Sequence, residues 1–441
     1  MKIYYGDETK KAVSNFPITG VSVDIGLIKA LALVKQAAVD VNCEKGRLST
    51  RIHRAVSRAL SEVIQGKFDD QFVTDSIQGG AGTSINMNVN EVVAKRAEEI
   101  LGKGSSVHYL DHVNMSQSTN DVVPTALKLT SLRLLDEYLA VLKTLEKSFL
   151  DKSRQFLKIV KVGRTHLQDA VPITLGQEFG AYYSFVGRDR GRLSELNKYL
   201  LETNLGGTAI GTGVNTPRGF SKLVNMRLSK LSGYKFKPAA NLIDATQNVD
   251  TLLQVTCLLK ISAIGISKIC SDLRLMASGP RTGFSEIKLP ELQKGSTIMP
   301  GKNNPVALET VNQISFQVVG NSNAAAHAAL GGQLELNAML PIFAKAIIES
   351  FTILTNGVSK LVETVNEIEV NQDECRRLFA NSLSGATLLA SHIGYDKANE
   401  LTKKALKNNT SLLAEVRNDG VLTEKEIKKI FTAKNLTNNT A

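Results

Sequence analysis

One short segment, residues 295–305 (Gly-Ser-Thr-Ile-Met-Pro-Gly-Lys-Asn-Asn-Pro), gathers the residue types that can bind an anion. Its glycines allow the backbone to turn, and the hydroxyl groups of Ser296 and Thr297 can donate hydrogen bonds. The Lys302 ammonium and the Asn304 amide can converge on the same negatively charged group. The same composition is also typical of a plain turn. The segment alone therefore indicates either an anion-binding loop or a simple turn.

A second candidate is the segment 78–84 (Gln-Gly-Gly-Ala-Gly-Thr-Ser), which precedes a helical pattern from Glu91 to Leu101. Glycines ahead of a helix let the backbone approach a carboxylate or phosphate, and Thr83 can add a hydroxyl donor. The spacing matches neither a phosphate loop nor a dinucleotide fingerprint. A tight turn with a helix cap is the alternative interpretation.

Two further polar segments stand at the ends of the longest helical pattern, at 116–121 (Ser-Gln-Ser-Thr-Asn-Asp) and 163–169 (Gly-Arg-Thr-His-Leu-Gln-Asp). Such residues ahead of a helix often serve as caps, and a lone histidine is often structural. Function and structure therefore both remain open here. The candidate binding residues are Ser118, Thr119, Asn120, Thr165 and His166.

Two further features of the sequence are a pair of histidines, which could bind a metal ion, and a second glycine-rich segment. His108 and His112 stand four residues apart and can face one metal ion on a helix, but no glutamate follows His108 as in zinc proteases. We therefore predict no metal site. The run 206–213, rich in glycine, is interpreted as a turn between helices that can line a pocket.

The overall composition narrows the class of partner. The formal net charge is +11, but the basic residues are mixed with 42 acidic ones, tryptophan is absent and aromatic residues make up only 5%. This pattern disfavours nucleic acid and suits attraction of small dicarboxylates. The four widely spaced cysteines are expected to be thiols. We find no secretory signal and expect no segment to approach the length of a membrane span, which predicts a soluble, cytoplasmic protein.

Long apolar helices must position these polar segments. The periodicity predicts helices at about 125–162, 242–278, 306–319 and 342–356. The helix predicted at 242–278 is apolar on most sides, which is not typical of a helix with one face exposed to solvent. Strand patterns are few and short, so the predicted class is all-α, with a helical bundle completed by subunit association. Three domains are expected, at 1–119, 120–372 and 373–441.

Taken together and in this order, the four polar segments resemble the aspartase and fumarase superfamily, whose members share a Gly-Ser-Ser-x-Met-Pro-x-Lys-x-Asn loop. The resemblance extends from residues 15–20 (Asn-Phe-Pro-Ile-Thr-Gly) to the C-terminal helices. The N-terminal lead is shorter than usual. Within the loop, Thr297 replaces the usual second serine but keeps its hydroxyl, and Asn303 replaces a common valine.

Two activities of this superfamily compete. The segment Ser118-Thr119-Asn120 resembles the aspartase form, because fumarases typically have serine at its middle position. Segments 244–248, 312–313 and 332–337 also resemble aspartases, whereas Thr165-His166 occurs in both. The resemblance thus implies a carbon–nitrogen lyase that eliminates ammonia from L-aspartate to give fumarate. A class II fumarate hydratase is the alternative, and a catalytically silent helical scaffold is a third, more distant one.

The resemblance also implies a mechanism. Ser296, used as an alkoxide, would remove the proton next to the β-carboxylate, and convergent donors would stabilise the resulting enediolate. No organic cofactor is implied, because the substrate carboxylate is the electron sink. A homotetramer whose sites each combine three chains is implied as well. The implied ligands are Thr83, Ser118, Thr119 and Thr297 for the β-carboxylate, Thr165, Lys302 and Asn304 for the α-carboxylate, and Asn120 and His166 for the amino group.

Overall fold

The computed structural model describes residues 2–432 and residue 435, and helices dominate this part of the chain. The α-helices are α1 (Asp7–Asn15), α2 (Ile25–Glu44), α3 (Thr50–Ile64), α4 (Thr83–Leu101), α5 (Thr119–Gln155), α6 (Leu175–Ser194), α7 (Leu196–Leu200), α8 (Phe220–Ser232), α9 (Asp244–Gln247), α10 (Asp250–Met276), α11 (Val306–Leu330), α12 (Leu340–Asn366), α13 (Gln372–Asn381), α14 (Ala386–Ile393), α15 (Tyr395–Asn408), α16 (Leu412–Asp419) and α17 (Glu424–Ile430). Short 3₁₀ turns occupy Asp69–Gln71 and Gly80–Gly82, and a π-helical turn occupies Tyr109–Val113.

Besides two isolated bridges, Ser22 with Asp75 and Gln333 with Leu336, the strands of the described residues form three two-stranded pairs. The strands are β1 (Val160–Thr165), β2 (Gln168–Thr174), β3 (Glu202–Thr203), β4 (Lys237–Pro238), β5 (Ile287–Lys288) and β6 (Glu369–Val370). β1 and β2 form an antiparallel hairpin, β3 and β4 are parallel, and β5 and β6 are antiparallel. The predicted all-α class is confirmed.

The chain divides into two compact units, each assembled from three stretches of sequence. The first contains residues 1–139, 191–263 and 315–355, and the second contains residues 140–190, 264–314 and 356–441. Every boundary between stretches falls inside a long helix, which explains why the sequence carries no linker. The division into three domains stays a prediction.

The core of the first unit is built around α2, whose apolar residues repeat on almost every side. Leu27, Ile28, Leu31 and Val34 are all buried, as expected for a helix surrounded by others. Helices α3 and α4 pack against it, and α8 covers a further side. This core fixes α4, whose first residue is the predicted ligand Thr83.

Helix α5 begins at Thr119, six residues earlier than the sequence predicts, and it includes Pro124. A proline inside a helix cannot donate to the carbonyl four residues earlier, which here is that of Asn120. That carbonyl instead accepts a hydrogen bond from the Asn204 side-chain amide at 2.9 Å. Because the lost bond is replaced, the helix can start ahead of the proline.

The same helix ends at Gln155, not at about 162, and the chain enters β1 at Val160. No glycine or proline marks this end in the sequence. The segment Ile159-Val160-Lys161-Val162 is rich in β-branched residues, and Val160 pairs with Thr174 of β2. The pairing of β1 with β2, which the periodicity of the helix cannot reveal, therefore decides where the helix ends.

The remaining long helices also differ from their predicted bounds. The predicted segment 242–278 is split into α9 and α10, because Asn248 adopts an extended conformation between them. Helices α11 and α12 run beyond their predicted ends, through Gly320 and Gly357. An isolated glycine costs a helix only about 1 kcal/mol, which packing readily offsets.

One described helix, α10, is long and apolar enough to cross a membrane by length and composition, so the expectation that no segment approaches that length is wrong. Its most apolar stretch is 44% buried. A single helix of this kind is weak evidence of a membrane span, because core helices pass the same test. Ile261 and Ile264 on α10 remain 42% and 50% exposed in one chain.

The second unit contains the β1–β2 hairpin and a separate group of C-terminal helices. The helices α14 to α17 share a small core of Leu389, Leu401, Leu412 and Val416. A capping box at Thr423 begins α17. The hairpin, with Thr165 and His166, and the loop 295–305, with Ser296, Thr297, Lys302 and Asn304, both lie in this unit.

Candidate active site

A pocket of about 780 Å³ in the first unit brings together three predicted ligands, Thr83, Ser118 and Thr119. Asn86 and Asn114 also line it. All of these side chains carry hydroxyl or amide groups, which donate hydrogen bonds to carboxylate oxygens. The pocket is therefore suited to a small anion.

Two helix N-termini meet at this pocket, because Thr83 is the first residue of α4 and Thr119 is the first residue of α5. Their side-chain oxygens lie 3.4 Å apart, and the Thr83 hydroxyl donates to the Gly80 carbonyl at 2.7 Å. The N-terminus of a helix carries free N–H groups and partial positive charge. Both helices therefore favour negative charge in the pocket.

Asp121 organises the start of α5. Its carboxylate is fully buried and accepts backbone N–H groups from Ser118, Gly206 and Thr208 at 2.9, 3.0 and 3.0 Å. Burial raises the pKa of Asp121 to about 6, against the opposing effect of these three donors. The carboxylate thereby ties the segment that carries Ser118 to the glycine-rich turn at 206–213.

The glycine-rich turn lines the pocket through Thr208 and Ala209, in agreement with the interpretation of its sequence. The Asn120 side chain donates from Nδ2 to the Ala209 carbonyl at 2.8 Å. That bond fixes the orientation of the amide and leaves its Oδ1 as a hydrogen-bond acceptor. Asn120 is not among the residues that line the pocket, and its Oδ1 can accept a hydrogen bond from a cationic group.

A buried polar network behind the pocket is not apparent from the sequence motifs. Lys35 donates to Asn114 Oδ1 at 3.1 Å and to Gln117 at 3.2 Å, and Asn86 Nδ2 donates to the same Asn114 oxygen at 3.2 Å. Asn86 also donates to the Thr119 hydroxyl at 3.2 Å. The network therefore links a fully buried lysine to a ligand of the pocket.

Burial lowers the pKa of Lys35 to about 7, although the Asp121 carboxylate opposes that shift. A signal for this network was present in the sequence. Lys35 interrupts an apolar run in α2, and asparagines 86, 88 and 90 alternate inside α4, where an apolar residue is expected on a buried face. Polar residues at buried helix positions require partners, which only the fold identifies.

Thr165 and His166 lie at the tip of the β1–β2 hairpin, and both are exposed. Thr165 lines a second pocket, of about 580 Å³, whose floor contains Lys161 and Arg164. These basic groups lie in the second unit, next to a predicted α-carboxylate ligand. Both basic groups are paired with carboxylates, Lys161 with Glu178 and Glu286 and Arg164 with Glu286, so the hairpin tip itself presents a hydroxyl and an imidazole.

The loop 295–305 closes on itself in the second unit. A Cβ atom at Gly295 would lie 1.8 Å from the Lys302 carbonyl, so only glycine allows this approach. Asn304 donates from Nδ2 to the Gly295 carbonyl at 2.6 Å, and Asn303 donates to the Leu289 carbonyl at 3.1 Å. The loop is therefore ordered by its own amides, and Asn303, which departs from the family pattern, anchors one side.

Ser296 accepts two backbone N–H groups through its side-chain oxygen, from Ile298 at 3.2 Å and from Met299 at 3.0 Å. Donors directed at an oxygen favour its negatively charged form. The side chain is half-buried, whereas Thr297 and Lys302 are exposed. The same two bonds also form in an ordinary serine turn, so they are compatible with a charged oxygen without requiring one.

The predicted ligands thus fall into three groups: the pocket, the hairpin tip and the serine loop. In the part of the chain that the structure describes, no hydrogen bond joins the hairpin turn to the serine loop. Two other candidate residues, His108 and His112, accept backbone N–H groups through Nδ1 within the turn at 109–113. Within residues 2–432 and 435, no cluster of three or more histidine, cysteine, aspartate or glutamate side chains can hold a metal ion.

A family model described as lyase matches residues 2–320, and one described as the C-terminus of fumarase C matches residues 386–438. The chain belongs to the aspartase and fumarase superfamily of lyases. The resemblance drawn from the four polar segments is confirmed. The first matched region contains all ten predicted site residues, and the second contains the C-terminal helices.

Individual relatives extend over nearly the whole chain. It is 44% identical over 440 residues to an aspartate ammonia-lyase of Bacillus subtilis, covering 99% of this chain and 93% of the relative. An aspartate ammonia-lyase of Pseudomonas fluorescens is 46% identical over 441 residues, with 98% and 92% covered. A fumarate lyase/delta-crystallin structure from Brucella melitensis is similar with a TM-score of 0.95 at 41% identity, covering 99% of this chain and 96% of that one.

Proposed function

We propose that the chain is an aspartate ammonia-lyase, which eliminates ammonia from L-aspartate to give fumarate and catalyses the reverse addition. The relatives of that name, at 44% and 46% identity, support this carbon–nitrogen lyase activity. The structural observation that carries the mechanism is the Ser296 oxygen, which accepts two backbone N–H groups. The elimination needs a base, and this oxygen is the best prepared candidate.

The chemical difficulty is the proton on the carbon next to the β-carboxylate, which is weakly acidic. Ser296 removes it as an alkoxide, and the N–H groups of Ile298 and Met299 lower the cost of forming that alkoxide. The electron pair flows into the β-carboxylate, which becomes an enediolate. The carbon–nitrogen bond then breaks and releases ammonia. No organic cofactor enters this scheme, because the substrate carboxylate accepts the electrons.

The enediolate carries one more negative charge than the substrate, so its donors matter more in the transition state than in the ground state. Thr83, Ser118 and Thr119 supply hydroxyl donors beside two helix N-termini. Thr297 adds a fourth hydroxyl from the serine loop. These four residues bind the β-carboxylate in the proposed site.

The other end of the substrate needs a positive group for the α-carboxylate and acceptors for the amino group. Lys302 supplies the charge, and the Asn304 amide has a second N–H besides the one bound to Gly295. Asn120 presents its Oδ1 as an acceptor, because Nδ2 is bound to Ala209. The proposed ligands are Thr165, Lys302 and Asn304 for the α-carboxylate, and Asn120 and His166 for the amino group.

We further propose that the active enzyme is a cytoplasmic homotetramer in which three chains contribute to each site. Exposed apolar side chains on the long helices, such as Ile264 at 50% and Phe316 at 69%, support association. The predicted ligands also lie on three separate groups of elements, as expected if several chains complete one site. Mass measured by light scattering at micromolar concentration tests the tetramer.

A two-substrate assay tests the activity. The purified protein is incubated with L-aspartate and, in parallel, with L-malate, and fumarate is followed by its ultraviolet absorbance. Production of fumarate from aspartate but not from malate is the expected result. Turnover of malate alone would show that the protein is a fumarate hydratase. Turnover of neither substrate would favour the catalytically silent scaffold.

The substitution Ser296→Ala tests the base. It removes the oxygen that takes the proton, so kcat should fall by at least about a thousand-fold while the tetramer persists. Ser391→Ala, on the exposed surface of α14 and outside the long helices, serves as the matched control and should keep full activity. Substantial turnover by a tetrameric Ser296→Ala protein would exclude Ser296 as the base.

A further inference from the structure

The β1–β2 hairpin that carries Thr165 and His166 has an irregular ladder close to its tip. Val162 pairs with Pro172, but the next pair is Arg164 with Asp169, so Gly163 faces two residues of β2. This is a β-bulge, which changes the direction of the side chains beyond it. A Cβ atom at Gly163 would lie 2.4 Å from the Val171 carbonyl oxygen, so the bulge requires glycine.

The turn at the tip is strained. Thr165 pairs with Gln168, and the two residues between them, His166 and Leu167, have φ angles of 57° and 59°. Two consecutive positive φ angles are the signature of a type I′ turn, which favours glycine, asparagine or aspartate. Histidine and leucine avoid this conformation because their Cβ atoms crowd the backbone. Such a turn persists only where its surroundings determine it.

Arg164, which precedes Thr165 in the chain, makes contacts that can hold the strained turn in place. Its guanidinium donates to the Glu286 carboxylate at 2.8 Å and lies 3.9 Å above the ring of Phe284. A planar guanidinium held by both a carboxylate and a ring has one orientation. The strand end that leads into the turn is therefore fixed.

Glu286 is itself immobile. Its side chain is fully buried, and its backbone donates to the Met276 carbonyl at 2.9 Å and accepts from Asn371 at 2.9 Å. Lys161, three residues before Arg164, also contacts the Glu286 carboxylate at 2.9 Å and contacts Glu178 at 2.7 Å. The carboxylate thus holds the same strand at two positions.

We propose that Arg164 is a positioning residue, which through Glu286 holds the strained turn that presents Thr165 and His166 to the substrate. The proposal rests on the proposed function, in which Thr165 and His166 bind aspartate. It explains why the hairpin keeps a strained turn at these two residues. Arg164 does not itself touch the substrate in this scheme. Its effect should therefore be replaceable by any change that stabilises the same turn.

The decisive experiment compares Arg164→Met with the double substitution Arg164→Met and Leu167→Gly. Removing the guanidinium releases the turn, and we expect KM for aspartate to rise at least about ten-fold while kcat changes less than about three-fold. Lys161 still lies 2.9 Å from the Glu286 carboxylate and keeps a positive charge beside it, while the carboxylate loses its hydrogen bond from Arg164. Glycine at position 167 favours the type I′ turn without help, so the double variant should recover most of the lost affinity.

Two controls separate positioning from general stability. Arg190→Met removes an ion pair of the second unit that has the same length but is more exposed, with Glu146 at 2.8 Å, and should leave KM unchanged. Leu167→Gly alone should change KM by less than about two-fold. An unchanged KM in Arg164→Met, or a raised KM that glycine at 167 does not lower, would overturn the proposal.

A second measurement does not depend on activity. Hydrogen exchange of the peptide 160–174, followed by mass spectrometry in the intact protein, should accelerate in Arg164→Met and slow again in the double variant. If the wild type turns over no aspartate but this exchange pattern appears, the proposed function fails while Arg164 still holds the turn. If aspartate is turned over and exchange is the same in all variants, the assignment of Arg164 fails alone.

Discussion

Replacing Gly163 by alanine should disrupt the hairpin in a way that the structure allows to be quantified. The new Cβ would lie 2.4 Å from the Val171 carbonyl oxygen. An ordinary carbon–oxygen contact is about 3.3 Å, so backbone atoms of β1 and β2 must separate by about 0.9 Å. Overpacking of this kind typically costs about 1 to 3 kcal/mol. Because Arg164 and Thr165 follow directly, the same displacement should also raise KM for aspartate.

The assay is the free energy of unfolding in urea, measured together with KM and kcat. Gly191→Ala is the matched control, because Gly191 lies in α6 and a methyl group added there would meet no neighbouring atom within 4 Å. Alanine should stabilise that helix by about 0.5 to 1 kcal/mol, the opposite sign. If Gly163→Ala were as stable as the wild type and kept its KM, the bulge would not depend on glycine and the reasoning would be wrong.

Three other predictions address the pocket and the amino-group ligand. His166→Ala should raise KM for aspartate more than it lowers kcat at saturation, and a dominant loss of kcat would contradict its role in binding. Thr119→Val removes a donor of the pocket and should lower kcat/KM at least about ten-fold, which corresponds to about 1.4 kcal/mol, whereas Thr144→Val on the exposed side of α5 should not. The pKa of Lys35 is about 7 in the folded protein and 10.5 in the unfolded chain. Between these values the unfolded chain binds a proton that the folded protein does not, so the stability present at high pH is lost as the pH falls from 10.5 to 7. The free energy of unfolding should therefore rise by about 3 kcal/mol more between pH 7 and pH 9.5 in the wild type than in Lys35→Met, and equal rises would contradict the lowered pKa of Lys35.

The long helices were predictable because apolar residues repeat along them, but their ends were not. Nothing near Gln155 marks the end of α5, since the residues that follow leave the helix to pair with β2. Gly320 suggested an end for α11 that packing overrides. Helix ends depend on partners distant in sequence, whereas helix interiors depend on the local pattern.

The candidate ligands were predictable from residue type and from the order of four short segments, because hydroxyls, amides and a lysine ahead of helices suit an anion. What could not be predicted was how they are held. Lys35 and Asn86 look like isolated exceptions within apolar helices until the fold shows that they meet at Asn114. Likewise, Arg164 reads as a common surface residue until Glu286, 122 positions away, becomes its partner.

Two different backbone arrangements hold residues of the proposed site, and each suits the role proposed for those residues. Thr83 and Thr119 begin helices anchored in a buried core, so the donors proposed for the enediolate are held in place before a substrate binds. Such preorganisation is what stabilises charge that appears only in the transition state. Ser296 instead lies in the loop 295–305, which is ordered mainly by its own amides. Another residue of this loop, Ile298, is 84% exposed. A base that must approach bound substrate and then release product is better placed on such a loop than on a helix, because loop movement costs little packing. In the proposed mechanism, charge stabilisation would thus come from residues at helix ends, and proton transfer would come from a residue in an exposed loop.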